Sequence, residues 1–163
     1  MNPINTILVK TIPLLPKKLV RVFANKYIAG DSIGDAVQTV KNLNSQNVMA
    51  TIDVLGESIK DRDEAVKSKN ESLEVLDNIV KHNLNGNLSV KLTMLALAMD
   101  YELCKSLFNE ILEDAKSKNI FVRIDMEDSS VTDITIKMYK EMRAKFDNVG
   151  LVLQAYLKKK KKD

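Results

Sequence analysis

The stretch Val122-Arg123-Ile124-Asp125-Met126-Glu127-Asp128-Ser129 begins as a short apolar strand and runs directly into charged residues. Its β-branched residues Val122 and Ile124 favour a strand that is buried in a sheet. A charged side chain inside such a strand is destabilising unless it is paired with an opposite charge or solvated in a cavity. The stretch therefore predicts a buried strand that brings Asp125 to a polar cavity.

Three other predicted strands end in the same way. Their ends read Thr51-Ile52-Asp53-Val54-Leu55-Gly56-Glu57, Ser89-Val90-Lys91-Leu92-Thr93 and Leu153-Gln154-Ala155-Tyr156. In parallel α/β folds, functional residues lie beyond the carboxyl ends of the strands. A single acid at a strand end is often only a helix cap, and we interpret Asp128 and Ser129 in that way. Four strands with this pattern instead predict an active-site rim, at which Asp53, Lys91 and Asp125 meet as opposite charges.

Two hydrophobic periodicities alternate along the chain. Short apolar runs rich in β-branched residues predict strands at 26–29, 49–54, 88–92, 120–126 and 150–156. Stretches with apolar residues at every third or fourth position predict helices at 32–46, 61–82, 100–119 and 131–145. Strands and helices that alternate in this way form βαβ units, so the fold class is α/β with a parallel sheet of about five strands.

Two architectures fit such a sheet, an open doubly wound sheet and a barrel. The first predicted strand is followed by Ala29-Gly30-Asp31, which has one glycine and lacks the glycine-rich phosphate loop of dinucleotide-binding folds. This weakens the doubly wound interpretation. The runs Met49-Ala50-Thr51-Ile52 and Val149-Gly150-Leu151-Val152-Leu153 predict strands that are buried on both faces.

The composition is that of a globular protein, with 163 residues of which 45% are hydrophobic and 29% charged. The net charge is +3, to which residues 158–163, five lysines and one aspartate, contribute +4. The rest of the chain is close to neutral, which argues against a nucleic-acid-binding surface. A single cysteine, Cys104, predicts a buried thiol and a reducing, cytoplasmic compartment. His82 has no histidine or carboxylate at helical spacing after it, so we expect no metal site.

The N-terminal segment, residues 1–26, contains no apolar run long enough to span a membrane. Within it, residues 16–24 predict a short basic amphipathic helix with a proline at its start. This helix fits packing against the bottom of a barrel, and a peripheral foothold on the inner face of the membrane is the alternative. We therefore divide the chain into this segment, a barrel portion at 27–157 and a lysine-rich tail at 158–163.

Five blocks of sequence occur in the order and at the spacing of one enzyme family. They are Tyr27-Ile28-Ala29-Gly30-Asp31, Asp53-Val54-Leu55-Gly56-Glu57-Ser58, Ser89-Val90-Lys91-Leu92-Thr93, Phe121 through Ser129, and Asn148-Val149-Gly150 through Gln154-Ala155-Tyr156-Leu157. Together they resemble the monofunctional bacterial proline dehydrogenases over residues 13–157. The resemblance implies part of a (β/α)8 barrel that binds FAD and oxidises L-proline to 1-pyrroline-5-carboxylate. It also implies electron transfer to a quinone at the membrane.

The resemblance assigns substrate-side roles to four residues. Lys91 matches a lysine that lines the proline pocket, and Asp53 matches the acid paired with that lysine. Glu57 matches an acid that forms a gating ion pair with an arginine on the family's last helix. Asp125 matches the conserved active-site acid. A partly desolvated lysine ammonium needs an acidic partner, so the pairing of Lys91 with Asp53 is physically sensible.

The resemblance assigns flavin contacts to Met126 and Gln154. A neutral amide such as that of Gln154 can meet both donors and acceptors on the edge of a flavin ring. The family barrel has eight strands and five are predicted here, so the later elements that hold the flavin and the carboxylate of proline are missing. We therefore expect a truncated chain with weak FAD binding and little or no activity.

Two other functions remain open. The chain could be a non-catalytic half-barrel that dimerises through its open sheet edges or needs a complementing fragment. It could also be an unrelated barrel lyase with Lys91 as a Schiff-base nucleophile, although the family resemblance explains Lys91 better. The tail at 158–163 is either the end of a truncated reading frame or a weak attractor of anionic lipid or nucleic acid.

Overall fold

The computed structural model describes residues 29–30, 32–56, 59 and 61–154. The chain divides into two compact units, Met1–Thr39 and Val40–Asp163. Helix α1, Ile33–Asn44, contains the border between them. Ser32 caps this helix, because its Oγ accepts a hydrogen bond from the backbone N–H of Asp35 at 3.2 Å. The segment 1–26 and the tail 158–163 lie outside the described residues.

The second unit contains a parallel sheet whose strands are linked by helices. Its elements are β1 Ala50–Asp53, α2 Arg62–Lys81, β2 Gly86–Val90, a 3-10 helix Leu92–Leu95, α3 Tyr101–Ser117, β3 Val122–Ile124, α4 Thr132–Arg143 and β4 Val149–Leu151. The strand order is β1-β2-β3-β4, and every neighbouring pair is parallel. The predicted α/β class and parallel sheet are confirmed, and each of the four predicted helices is present.

Four of the five predicted strands are present in the described part of the chain. Of the strand predicted at 26–29, residues 26–28 lie outside the described residues and Ala29 is not in a strand. The strand predicted at 88–92 ends at Val90, because Leu92 starts the 3-10 helix. The last predicted strand is observed only as β4, and positions 155 and 156 are not described.

The two faces of the sheet differ in chemistry. One row across the strands consists of Ile52, Leu88, Val122 and Val149, which are all buried. The adjacent row consists of Asp53, Ser89, Arg123 and Gly150. Successive side chains of a strand point to opposite faces, so these rows lie on opposite sides of the sheet. One face is thus apolar and the other polar.

The prediction that the strands are buried on both faces is therefore wrong. Thr51 is exposed, and the flanking residues Met49 and Leu153 are 59% and 73% exposed. The apolar face of the sheet packs against helices, since α2 contacts β2 and α4 contacts β4. In the described part of the chain, the polar face has no such cover, which explains the difference.

An aromatic ring lies on the polar face beside the last strand. Phe121 precedes β3 by one residue, so its side chain is on the same side as that of Arg123. Its ring occupies the space next to Gly150, where an added Cβ would be 2.5 Å from Cζ of Phe121. A glycine at position 150 is what allows this close approach.

Two of the helices begin at an aspartate cap. Asp61 and Asp100 each accept a hydrogen bond from the backbone N–H three residues later, at 2.9 and 3.0 Å. Helix α4 begins without a side-chain cap. Asp128 instead accepts from the backbone N–H and the hydroxyl of Ser130, at 2.7 and 2.5 Å. The prediction that Asp128 and Ser129 cap α4 is wrong, because Val131 occupies the N-cap position and the Asp128 carboxylate bonds Ser130 instead.

Three helices end in the same way. Asn47, Asn83 and Asn119 have left-handed backbone conformations, with φ values of 59°, 48° and 55°. Directly after each asparagine, a backbone N–H donates to a carbonyl five residues earlier, at 2.8 to 3.0 Å. Asparagine adopts this conformation more readily than most residues, so each one ends its helix and turns the chain towards the next strand.

Candidate functional site

An ion pair joins the ends of the first two strands. Asp53 is the last residue of β1, and Lys91 directly follows β2. The Lys91 ammonium donates to Oδ2 of Asp53. The two side chains are 28% and 26% exposed, so the pair is partly withdrawn from water. The structure thus brings together the two residues that the sequence analysis paired, and neither charge is buried alone.

A second charged pair lies beside the first on the polar face. Arg123 donates through Nε to Oδ1 of Asp125 at 2.9 Å and through a terminal nitrogen to Oγ of Ser89 at 3.2 Å. The backbone N–H of Asp125 donates to the carbonyl of Val90 at 2.9 Å, which ties the end of β3 to β2. The cation nearest to Asp125 is therefore Arg123 and not Lys91. A hydrogen-bonded guanidinium keeps the Asp125 carboxylate in place.

The two predicted flavin contacts are joined by a hydrogen bond. Met126 follows β3 and its side chain is buried, whereas Gln154 follows β4 and is partly exposed. The Gln154 amide donates from Nε2 to the backbone carbonyl of Met126 at 3.0 Å. This bond fixes the amide beside the Asp125 loop. An amide has a further N–H and an oxygen, so the group can still bond a ligand.

A further contact braces the loops behind these residues. Glu127 accepts from the backbone N–H of Thr93 at 3.1 Å and from its hydroxyl at 2.5 Å. The bonds connect the segment after β3 to the 3-10 helix after β2. Because Lys91 and Asp125 lie in these same two segments, the bonds fix the spacing between the two charged pairs.

We call the set Asp53, Lys91, Arg123, Asp125 and Gln154 the strand-end rim. Every member is at or beyond the carboxyl half of its strand, on consecutive strands of one parallel sheet. Of the meeting of opposite charges that the sequence predicted for Asp53, Lys91 and Asp125, the contact of Lys91 with Asp53 is present, whereas Asp125 pairs with Arg123. The remaining predicted substrate-side residue, Glu57, lies outside the described residues.

Sequence reasoning missed Arg123, Ser89, Thr93 and Glu127. Arg123 stands two positions before Asp125, and strand residues two apart share a face. That spacing could have predicted the Arg123–Asp125 contact. Ser89 could not have been found in this way, because its place opposite Arg123 depends on the register between β2 and β3.

The other candidate reactive groups have structural roles. Cys104 is fully buried, and burial together with nearby acidic side chains raises the pKa of its thiol to about 12. The burial agrees with the predicted buried thiol. A thiol with so high a pKa is a poor nucleophile near neutral pH, because it forms very little thiolate. His82 is near Lys41, with Nζ 3.4 Å from Nδ1, and desolvation and the lysine charges lower its pKa. The described residues contain no group of side chains that could hold a metal ion.

Comparison with known proteins identifies the family. The family model for proline dehydrogenase matches residues 36–163. Proline dehydrogenase 1 of Bacillus subtilis (strain 168) is 40% identical over 137 residues, which are 84% of this chain and 45% of that protein. Proline dehydrogenase 2 of the same strain is 36% identical over 143 residues, 88% of this chain and 47% of that protein. The chain thus spans about half the length of the curated relatives it matches.

A solved structure gives the same result. Proline utilization A (PutA) from Bdellovibrio bacteriovorus, inactivated by N-propargylglycine, matches with a TM-score of 0.77 and 25% identity. The match covers 87% of this chain and 18% of PutA. The PutA from Bradyrhizobium japonicum matches in fold with a TM-score of 0.62. The described sheet is therefore part of a (β/α)8-type barrel. With the family model, the relatives and the fold in agreement, the chain belongs to the proline dehydrogenase family.

Proposed function

We propose that this chain supplies part of an active site that oxidises L-proline to 1-pyrroline-5-carboxylate with FAD as the cofactor. The observation that carries the proposal is the strand-end rim. Two adjacent charged pairs, Lys91–Asp53 and Arg123–Asp125, lie on the polar face of a parallel sheet in a chain of this family. Active sites of (β/α)8 barrels occupy this end of the strands.

Lys91 is proposed to hold the substrate carboxylate. Its ammonium is partly desolvated, and an approaching carboxylate meets it at lower dielectric than in bulk water. Asp53 fixes the direction of the ammonium and keeps it charged. This assignment predicts that loss of the Lys91 charge weakens proline binding more than it slows the reaction of bound proline.

Asp125 is proposed to face the amine of the substrate. Arg123 holds its carboxylate from the side of the sheet. A carboxylate held in this way can pair with the substrate ammonium and accept the proton that leaves the nitrogen during oxidation. Asp125 and Lys91 thereby orient proline together, because Asp125 pairs with the substrate ammonium and Lys91 with the substrate carboxylate.

Met126 and Gln154 are proposed to hold the flavin. The Met126 side chain is buried and offers an apolar contact, and the anchored Gln154 amide offers a donor and an acceptor. These groups fit one edge of a flavin ring. When bound, the flavin supplies the hydride acceptor that no amino-acid side chain provides. We further propose Glu57 as a gating residue of the same site.

The remaining groups of a complete site are proposed to come from outside residues 1–163, because the chain spans 45% to 47% of its curated relatives. We therefore expect the 163-residue chain by itself to retain little FAD and to have little activity. The proposed electron acceptor is a quinone, reached from the cytoplasmic side of the membrane. None of the described helices is long and apolar enough to cross a bilayer.

A second candidate is a non-catalytic half-barrel that associates with another copy or a complementing fragment. The observation that favours it is the open sheet, in which β1 and β4 are edge strands among the described elements. Unpaired edges tend to recruit a partner strand. Light scattering of the purified chain distinguishes a self-associated dimer from a monomer, because association through the sheet edges gives twice the monomer mass.

A chimera tests the proposed function directly. Residues 40–154 replace the matching segment of Proline dehydrogenase 1 from Bacillus subtilis, and proline-dependent bleaching of the flavin is measured. We expect the chimera to be active and Lys91→Met within it to lower kcat/KM at least about 100-fold, mainly through KM.

The matched control is Lys116→Met, which removes an exposed lysine from α3. It should leave kcat/KM within about twofold of the chimera. A folded, flavin-loaded chimera in which Lys91→Met keeps full activity would remove Lys91 from the substrate site. An inactive chimera that still binds flavin would contradict the proposal for the segment as a whole.

A further inference from the structure

Hydrogen bonds join the segments at the ends of β2 and β3 into a closed ring. At one side, the backbone N–H of Asp125 donates to the carbonyl of Val90 at 2.9 Å. At the other side, the Glu127 carboxylate accepts from the backbone N–H and the hydroxyl of Thr93, at 3.1 and 2.5 Å. We call residues 90–93 and 125–127 with these bonds the hydrogen-bonded ring. Lys91 and Asp125 both lie within it, so their backbones are held relative to each other.

The two sides of the ring differ in origin. The bond from Asp125 to Val90 joins two backbones and continues the pattern of the parallel pair, so it does not depend on which side chains are present. The bonds between Glu127 and Thr93 instead require these side chains, because each carboxylate oxygen accepts one of them. This side of the ring is therefore specified by two residues and can be removed by substitution.

The 3-10 helix Leu92–Leu95 depends on the Glu127 carboxylate. Lys91 occupies the N-cap position of this helix, and its side chain makes no capping bond. The first backbone N–H groups of a helix have no partner within it. Glu127 accepts the one from Thr93, and a charged acceptor makes a stronger bond than a neutral one. Glu127 thus takes the capping role that a lysine, which has no acceptor, cannot fill.

The far end of the same helix is also constrained. Leu92 and Leu95 are fully buried, which fixes the helix on the core. Ala96 follows with a φ of 76°, a left-handed conformation that alanine rarely adopts. Such a conformation persists only where the surrounding structure determines it, and it is common beside functional sites. The helix therefore has one defined position, and the Lys91 backbone at its start shares it.

Glu127 lies near the helices that support the strand ends. Burial and, after it, the carboxylates of Glu127 and Asp100 raise the pKa of the Cys104 thiol to about 12. Asp100 and Cys104 belong to the start of α3, which packs against the 3-10 helix. Both oxygens of Glu127 are already bonded to Thr93. This arrangement suits a residue that acts through Lys91 and not one that contacts a substrate.

We propose that Glu127 is a positioning residue that fixes the spacing between Lys91 and Asp125 and thereby selects imino acids whose carboxylate and amine are as close as in L-proline. The inference rests on the proposed function, in which Lys91 holds the substrate carboxylate and Asp125 faces the amine. With the ring closed, the two charges stay at one spacing, and a substrate of matching size meets both at once. Opening the ring at Glu127 lets the Lys91 segment move, so this match is lost.

The first experiment tests the ring without proline or flavin. Amide hydrogen exchange is measured by NMR on the 163-residue chain and on Glu127→Ala. The Thr93 amide should exchange at least about tenfold faster in Glu127→Ala, because its acceptor is removed. Glu74→Ala, at an exposed position on α2, is the control and should leave the Thr93 amide unchanged. Equal exchange of this amide in all three proteins overturns the proposal.

The second experiment measures selection by substrate size, in the active chimera that contains residues 40–154. Kinetics with L-proline are compared with inhibition by L-β-homoproline, which has one more methylene between the ring and the carboxylate. Glu127→Ala should raise KM for L-proline at least about tenfold with kcat within about threefold, and change the inhibition constant of the homologue less than about threefold. Glu74→Ala should change neither.

Equal weakening of both ligands, or a loss of kcat with KM unchanged, contradicts the positioning role. A merely structural role would lower stability without changing the ratio of the two constants. The outcome for the proposed function is read separately from Lys91→Met. If Lys91→Met raises KM and Glu127→Ala does not, only this inference fails. If Lys91→Met has no effect on KM, the proposed role of Lys91 fails whatever the exchange of the Thr93 amide shows.

Substitutions of Thr93 keep the test decisive if Glu127→Ala does not fold. Thr93→Val removes the hydroxyl bond and should raise KM for L-proline in the same direction, whereas Thr93→Ser keeps the hydroxyl and should restore the original value within about twofold. Opposite behaviour of the two variants, with Thr93→Ser as impaired as Thr93→Val, would show that the methyl group and not the bond to Glu127 matters.

Discussion

Arg123 and Asp125 are two positions apart on β3 and the segment that follows it, and this spacing lets one side chain hold the other. The guanidinium also reaches across the sheet to Ser89. Both bonds involve a charged group, which makes them stronger than bonds between neutral groups. Arg123 therefore has a stabilising role in addition to any role in the reaction.

The substitution Arg123→Met measures this contribution. It leaves Asp125 without its cation, and we expect the free energy of unfolding to fall by about 1 to 2 kcal/mol, since the pair is partly solvated. Urea denaturation of the 163-residue chain provides the measurement. Arg62→Met, at an exposed position in the first turn of α2, should change stability by less than about 0.5 kcal/mol. Equal effects of the two substitutions would show that the pair contributes nothing.

Cys104 gives a second prediction at this scale. Its thiol is buried and its Sγ is 3.6 Å from the carbonyl oxygen of Leu92, and its pKa of about 12 leaves very little thiolate near neutral pH. At about pH 8, a thiol reagent should modify the folded chain at least about 100-fold more slowly than the urea-unfolded chain. Similar rates in the two states would mean that the helix α3 face opens readily.

The helices could be predicted well from the sequence because their signals are local. Asp61 and Asp100 mark two starts, and apolar spacing defines each buried face. The 3-10 helix Leu92–Leu95 was not predicted, since four residues are too few to show a helical period. Strand limits were also less accurate, because the residues that pair depend on neighbouring strands and not on local sequence.

The left-handed asparagines give a prediction at the scale of the element. Asn83 ends α2 with a φ of 48°, a region that β-branched residues avoid. Asn83→Val should therefore lower the free energy of unfolding by about 1 to 2 kcal/mol, whereas Asn83→Gly should be neutral or slightly stabilising. Thermal or urea unfolding tests both. Asn70→Val, at an exposed site within α2, controls for the general effect of valine in this helix.

Two contacts of charged side chains join α3 and α4. Lys105 Nζ is 2.6 Å from a Glu141 carboxylate oxygen, and Lys137 Nζ is 4.4 Å from the centre of the Tyr101 ring. The hydrogen bond from Lys105 lowers the pKa of Glu141 below its usual value of 4.5. A carboxyl with a lowered folded-state pKa stabilises the fold above its unfolded pKa. That stabilisation is lost as the pH falls through the folded-state value.

We therefore expect Glu141→Gln to lower stability near neutral pH and to weaken the dependence of stability on pH below about 4.5. Urea midpoints measured across the acidic range test this. Glu74→Gln, on the exposed surface of α2, should keep the dependence of the original chain. If the Glu141→Gln chain loses as much stability in acid as the original chain, the ion pair is not the source of the acid sensitivity.

At the scale of the molecule, the α/β class and the parallel sheet could be predicted from the alternating hydrophobic periodicities, and the pairing of Lys91 with Asp53 from the charged residues at strand ends. The polar character of the uncovered face of the sheet could not be predicted from the sequence. Runs such as 149–153 look apolar throughout, yet the residues of such a run divide between a covered and an uncovered face. Which face receives helices is decided by the connections between strands, and that information is distributed over the whole chain.

The contact between Phe121 and Gly150 has a consequence for how this sequence can evolve. A methyl group at position 150 is compatible only with a displaced ring at position 121. The two sites are therefore epistatic, and the order of changes matters. A lineage that first replaces Phe121 with a smaller residue opens a neutral path to alanine at position 150, whereas the reverse order passes through a crowded intermediate.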